Sequence, residues 1–200
     1  MFKKIPASKL SIAKRTPVFG VGVNDSPYKI STVINGKRYK CKAYLRWVDM
    51  LKRAYSKKYH KAQPTYVGVT VSDEWLAFSN FEKWYVKNSV KGFQLDKDLL
   101  NPGNKTYSSD NCLFVPSSIN KLIDTKIINH GLPRGVSRAK HGQPFFAQIT
   151  IDSNNVWLGK YDTTESAHNS YVKAKNNEIK RKMIEYPDLA KHLKNHLTLD

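Results

Sequence analysis

The chain has 200 residues, 40% of them hydrophobic and 25% charged, which gives room for one ordinary domain or two small ones and excludes wholesale disorder. Lys and Arg number 34 against 16 Asp and Glu, a formal net charge of +18, and a field of that sign attracts polyanions, nucleic acid first and anionic membrane second. No apolar run approaches the roughly 18 residues that a bilayer span needs, and Met1-Phe2-Lys3-Lys4-Ile5-Pro6 lacks the apolar stretch of a secretory signal, so a cytoplasmic protein with no membrane partner is expected.

Cys41 and Cys112 stand far apart with no Cys-x-x-Cys or Cys/His cluster, which argues for two reduced packing cysteines rather than a zinc ribbon or a disulfide framework. Charge is concentrated at the N-terminal end: residues 1–61 hold 16 Lys/Arg against only Asp25 and Asp49. Residues 1–26, dotted with Pro6, Pro17, Gly20 and Gly22, read as a basic extended arm. Tyr28–Ile34 and Lys37–Ala43 alternate apolar with polar residues around Asn35-Gly36, the strongest short-range hairpin signal. From Ala43 to Tyr59 the spacing of Leu45, Val48, Leu51 and Ala54 predicts an amphipathic helix with Arg46, Lys52, Arg53, Lys57 and Lys58 between them.

Ser72-Asp73-Glu74 offers a cap and an acidic first turn to a second helix, whose Trp75, Phe78, Phe81, Trp84 and Tyr85 form a stripe read as core. Residues 92–128 predict a strand (Phe93 to Leu100), a polar loop (Asn101 to Lys105), a short strand (Cys112 to Val115) and a helix opening at Pro116-Ser117-Ser118, a ββα order. Asn129 to Pro133 reads as a linker. Three short strands follow, then a helix from about Thr163 to Met183 that ends near Pro187, with Leu189, Leu193 and Leu197 marking an amphipathic tail.

Leu95-Asp96-Lys97-Asp98, the Gly/Asn loop, Tyr107-Ser108-Ser109-Asp110-Asn111-Cys112-Leu113-Phe114-Val115-Pro116 and Ile119-Asn120-Lys121-Leu122, with the upstream Tyr66-to-Trp75 and Phe78-Ser79-Asn80-Phe81 segments, resemble a variant HNH nuclease module of phage type over about residues 43–125. That resemblance implies one divalent ion held by Asp96 from the strand and Asn120 from the helix, with Asn111 holding the ββ loop in shape. Oxygen donors at both positions favour Mg²⁺ or Mn²⁺. The chain departs from the pattern at Lys97, where such nucleases carry the histidine that takes a proton from water. An ordinary lysine is protonated at neutral pH and suits charge stabilisation rather than base chemistry, which leaves Asp98 or His60 as the candidate base.

Residues 134–177 resemble the Apetala/ethylene-response-factor DNA-binding domain, carried by Arg134-Gly135-Val136, Phe146-Ala147-Gln148-Ile149, Trp157-Leu158-Gly159-Lys160-Tyr161, Asp162-Thr163-Thr164-Glu165-Ser166-Ala167, Tyr171 and Ala174. Alternation puts Ala147, Ile149 and Ile151 on one sheet face, with Val156 and Leu158 across the turn, against a helix face of Ala167, Tyr171 and Ala174. Gln148, Thr150 and Trp157 fall on the other face. The resemblance implies that this second face enters the major groove with Arg134, Gln148, Thr150 and Trp157, helped by Arg138 and Lys140 from a nearby turn. Lys37, Arg38, Lys40, Arg46 and Arg53 are expected phosphate contacts.

The expected architecture is α+β: a ββα-metal (HNH-like) module followed by a three-stranded antiparallel sheet plus helix. Its divisions are a basic arm (1–26), an HNH-like nuclease domain (27–128), an Apetala-like domain (132–183) and a helical tail (184–200). The expected function is a metal-dependent DNA endonuclease of phage or mobile-element type acting on double-stranded DNA, with no small-molecule substrate. Its rivals are a catalytically inactive, nuclease-derived DNA-binding protein (a repressor or DNA-masking factor) and RNA binding through the arm.

Overall fold

The structure is a computed structural model that describes residues 2–124, 131–138 and 145–198. It is a mixed α and β chain in two compact units, residues 1–114 and 115–200. Among the described residues no helix is long and apolar enough to cross a membrane.

In the first unit the N-terminal residues are not a free arm. They carry a short helix α1 (Lys9–Ala13) capped by Ser8 Oγ, and the segment behind it is pinned by Arg15, whose guanidinium donates to the carbonyls of Asn24 (2.8 Å), Ser26 (2.6 Å) and Tyr28 (3.1 Å). Gly22 lies so close to α2 (Lys42–Tyr55) that a Cβ there would stand 2.3 Å from Leu51 Cδ1 and 2.9 Å from Trp47 Cζ2. The expectation of an extended arm is therefore corrected: Arg15 finds three backbone acceptors that no local pattern announces. The hairpin β1 (Ser31–Ile34) and β2 (Lys37–Lys40) forms as expected, with Asn35 and Gly36 both at positive φ as a type I′ turn requires.

Helix α2 buries Ala43, Trp47, Met50, Leu51 and Ala54 and leaves Leu45 47% exposed. Its apolar stripe is thus rotated from the sequence expectation toward Trp47, whose indole N–H reaches the carbonyl of Trp75 (2.7 Å). Ser56 ends α2 and caps α3 (Lys57–Ala62) by accepting from the amide of Tyr59, so the predicted single helix is two. The next predicted helix is also divided, into α4 (Asp73–Leu76) and α5 (Phe78–Asn88). Val23 enters at the break: its amide donates to Leu76 O and its carbonyl accepts from Phe78 N. Trp75, Phe78 and Phe81 are fully buried, with Trp84 and Tyr85 packed around them, so the aromatic stripe is core. Two small pairings complete the unit, β3 (Thr70–Val71) parallel to β5 (Thr106–Tyr107), and β4 (Gln94–Asp96) with β6 (Leu113–Val115).

The second unit opens with α6 (Ser117–Ile123) and continues into an antiparallel sheet, β7 (Val136–Arg138), β8 (Phe145–Ile151) and β9 (Asn154–Tyr161), in the order 7-8-9. Helix α7 (Thr164–Glu185), capped by the Thr163 hydroxyl, packs with Ala167 on one face of that sheet over Val136, Phe145 and Ala147. The fit is close at Gly135, where a Cβ would lie 2.0 Å from the Tyr171 ring. Asp152 and Ser153, both at positive φ, turn β8 into β9, and Asp152 ties that turn to Arg181 (2.5 Å) and Lys182 (2.9 Å) of α7. Helix α8 (Pro187–Leu193) closes the tail on α7 and buries Leu193.

Candidate functional site

Strand β4 ends at Asp96 because its own side chain caps the chain that follows. Asp96 Oδ1 accepts the backbone amides of Asp98 (2.9 Å) and Leu99 (2.7 Å), a local carboxylate-to-backbone arrangement that competes with continued strand. Asp96 is only 5% exposed. Burial pushes its pKa up from the ordinary carboxylate value, and the two amides pull back against it.

Lys97 is 7% exposed, and its ammonium donates to Asp98 Oδ1 and to the carbonyl of Asn104, both at 2.6 Å. Asn104 answers from the other side of the loop. Its amide donates to Lys97 O (3.2 Å) and Thr106 O (2.7 Å), and its Oδ1 accepts from Thr106 N (3.0 Å). The two side chains clasp residues 97–106 into a closed loop between β4 and β5. Asn104 is a loop-holding residue that sequence reasoning missed; the Asn-x-Thr spacing after Gly103 was the available signal for an Asx turn. Asn111, expected to hold the loop, accepts from Asn101 Nδ2 of that loop (2.9 Å), and its backbone amide donates to Ser108 Oγ (3.2 Å).

Asp96, Lys97 and Asp98 are thus held together in the first unit, and Asn120 lies on α6 in the second. His60, the alternative base, presents Nε2 to the carbonyl of Arg53 (2.8 Å); a carbonyl only accepts, so that nitrogen carries the proton. Among the described residues no group of three or more His, Cys, Asp or Glu side chains is arranged to hold a metal. Asp96 and Asn120 each offer an oxygen donor, a type suited to a hard ion and unsuited to zinc. Cys112 beside this loop is buried, and burial pushes its thiol up to about 12, so it is an inert packing group.

The expected DNA-contact residues divide into those that are presented and those that are used internally. Lys37, Arg38 and Lys40 are exposed on β2, and Arg46 is half-buried on α2. Arg53 pairs with Asp49 (2.8 Å), bonds the buried Tyr107 and keeps its side chain 23% exposed. Lys14 and Lys29 line a cavity of about 510 Å³ together with Tyr44 and Ser31.

In the sheet, register puts Ser137, Phe146, Gln148, Thr150, Asn155, Trp157 and Lys160 on the face away from α7. A bulge between Ala147 and Gln148 keeps Trp157 opposite Gln148 while Lys160 stands opposite Phe146. Trp157 stacks on Phe146, ring centroids 5.1 Å apart and 25° between planes. Arg134 is not on this face. Its Nη2 donates to Lys121 O (3.3 Å), it bonds the Tyr171 side chain, and its own carbonyl meets His168 Nδ1. Arg138 is the last residue of β7 rather than a turn residue, on the face shared with Val136, its guanidinium 4.9 Å over the Phe145 ring. Lys140 lies outside the described residues. Phe146 was overlooked because only the pairing register brings it to Trp157.

No protein-family model, no curated protein and no solved structure matches the chain.

Proposed function

We propose that the protein is a DNA endonuclease of HNH type whose cleavage centre is built on Asp96. The observation that carries the reading is the Asp96 turn: a carboxylate in a nearly closed site, fixed by two amides, with the adjacent Lys97 ammonium directed to Asp98 and Asn104 instead. Burying such a charge opposes folding unless a cation offsets it. A divalent ion held by Asp96 would neutralise charge on the oxygen leaving phosphorus. The attacking water must also lose a proton. We assign that step to Asp98, whose side chain is half exposed, with His60 as the alternative base. Lys97 contributes positive charge to the loop and closes it.

Supercoiled plasmid incubated with the protein should be converted to nicked or linear form in Mg²⁺ or Mn²⁺ and remain supercoiled in EDTA.

A second reading has its own support. The ammonium at the position where such nucleases carry a base favours a disarmed nuclease that binds DNA without cutting it. Wild type that never cuts in either metal, beside a Lys97→His variant that does, would select this second reading.

A further inference from the structure

The open face of the β7–β8–β9 sheet has an unusual composition for a surface that enters a duplex groove. We propose that it binds single-stranded DNA by stacking an unpaired base on the outer face of Trp157. This deepens the reading above and rests on it for the choice of DNA.

Trp157 is 56% exposed, whereas Trp47 and Trp75 are 0% exposed and Trp84 packs against the core. Phe146 backs its ring at 5.1 Å and 25°, which fixes the plane of the indole and leaves its other side to solvent. Every nucleobase has a flat face for such a platform, and stacking of this kind needs no particular sequence. Beside the platform stand Gln148, directly across from Trp157, and Thr150, whose hydroxyl donates to Asn155 Oδ1 (2.7 Å). These amide and hydroxyl groups suit an exposed base edge.

The guanidinium groups point to the same conclusion by where they are. Arg pairs with guanine in the major groove, yet Arg134 is tied to Lys121 O and Tyr171, and Arg138 lies on the opposite face over Phe145. The register leaves Lys160 as the cation of the described open face, cross-strand from Phe146. A duplex lays two rows of phosphate against an inserted sheet and shows closed base-pair edges. A single strand presents one row of phosphate and free base planes, which one lysine and an aromatic pair match. The chain's net charge of +18 complements a polyanion rather than an apolar protein partner.

The test uses the full chain and the emission of Trp157, the most exposed of the four tryptophans. Oligo(dT) should quench tryptophan fluorescence in a saturable titration, and Trp157→Ala should weaken its binding about 5- to 100-fold, with Trp157→Phe restoring most of the loss and the thermal midpoint unchanged. A duplex of the same length should leave the emission unchanged and bind Trp157→Ala as it binds wild type. Duplex that quenches Trp157 and loses as much affinity in Trp157→Ala would overturn the proposal in favour of groove reading. Tighter binding of oligo(U) would assign the face to RNA, and a dimer abolished by Trp157→Ala with no change in oligonucleotide binding would assign it to a second copy of the chain. If Trp157→Ala fails to fold, quenching of wild type and rescue by Trp157→Phe decide alone. Duplex binding without any response to oligo(dT) removes the platform and leaves the endonuclease reading standing; cleavage and binding absent together remove both.

Discussion

At the scale of single residues, the catalytic role proposed for Asp96 would join stability to function with opposite signs. Burial raises its carboxyl above the unfolded value of about 3.9, so the folded protein holds that proton more tightly than the unfolded chain does. Its contribution to stability is therefore fullest below that unfolded value and falls as pH rises through the unfolded and then the folded value. Asp96→Asn keeps an oxygen for the amides of Asp98 and Leu99 and removes the titration. In EDTA its thermal midpoint should exceed that of wild type at pH 7, and the gap should close as pH is lowered toward 3. Magnesium should raise the wild-type midpoint and leave the variant's alone. A variant less stable than wild type at pH 7 would mean that the carboxylate is already compensated by the protein. Lys97 tests the loop: Lys97→Ala removes both bonds of a nearly buried ammonium and should destabilise by about 1–3 kcal/mol, with faster amide exchange confined to residues 97–106. Unchanged exchange there would leave Asn104 as the whole clasp.

At the scale of elements, legibility followed locality. The β1–β2 hairpin was readable because Asn35-Gly36 supplies its own positive φ values, and α7 because the Thr163 cap and the Pro187 stop are both written locally. The break at Ala77 was not readable, since it depends on Val23, 54 residues upstream in sequence, hydrogen-bonding on both sides of it. Nor was the rotation of α2, where Trp47 outcompetes Leu45 for the core through a bond to a carbonyl 28 residues away. The candidate site divides the same way. The Asp96 turn is local and was anticipated as a position, whereas the roles of Asn104, Arg134 and Phe146 come from loop closure and strand register. The same long-range packing yields a test of the N-terminal segment. Gly22→Ala forces a methyl into Leu51 and Trp47, which should cost about 1–3 kcal/mol and speed tryptic cleavage after Lys14 and Arg15. Cleavage no faster than in wild type would show that this segment is held by Arg15 alone.

At the scale of the whole molecule, the excess of positive charge sits in the first unit, with 21 Lys/Arg against 8 Asp/Glu in residues 1–114. Arg15 is tied to backbone carbonyls and Arg53 to Asp49; for the proposed DNA binding, the exposed β2 side chains are candidate phosphate contacts. Replacing Lys37, Arg38 and Lys40 together by Ala should flatten the log–log salt dependence of duplex affinity by about 2–3, at about 0.9 for each phosphate neutralised. An unchanged slope would move the duplex interface elsewhere. The most direct test of the account remains the chemistry of Asp96. Wild type and Asp96→Asn should be compared on the same supercoiled plasmid in Mg²⁺, with duplex binding measured in parallel. The expected result is cleavage by wild type alone, with binding by the variant equal or tighter because a negative charge near phosphate is gone; cleavage that survives Asp96→Asn unchanged would contradict the account.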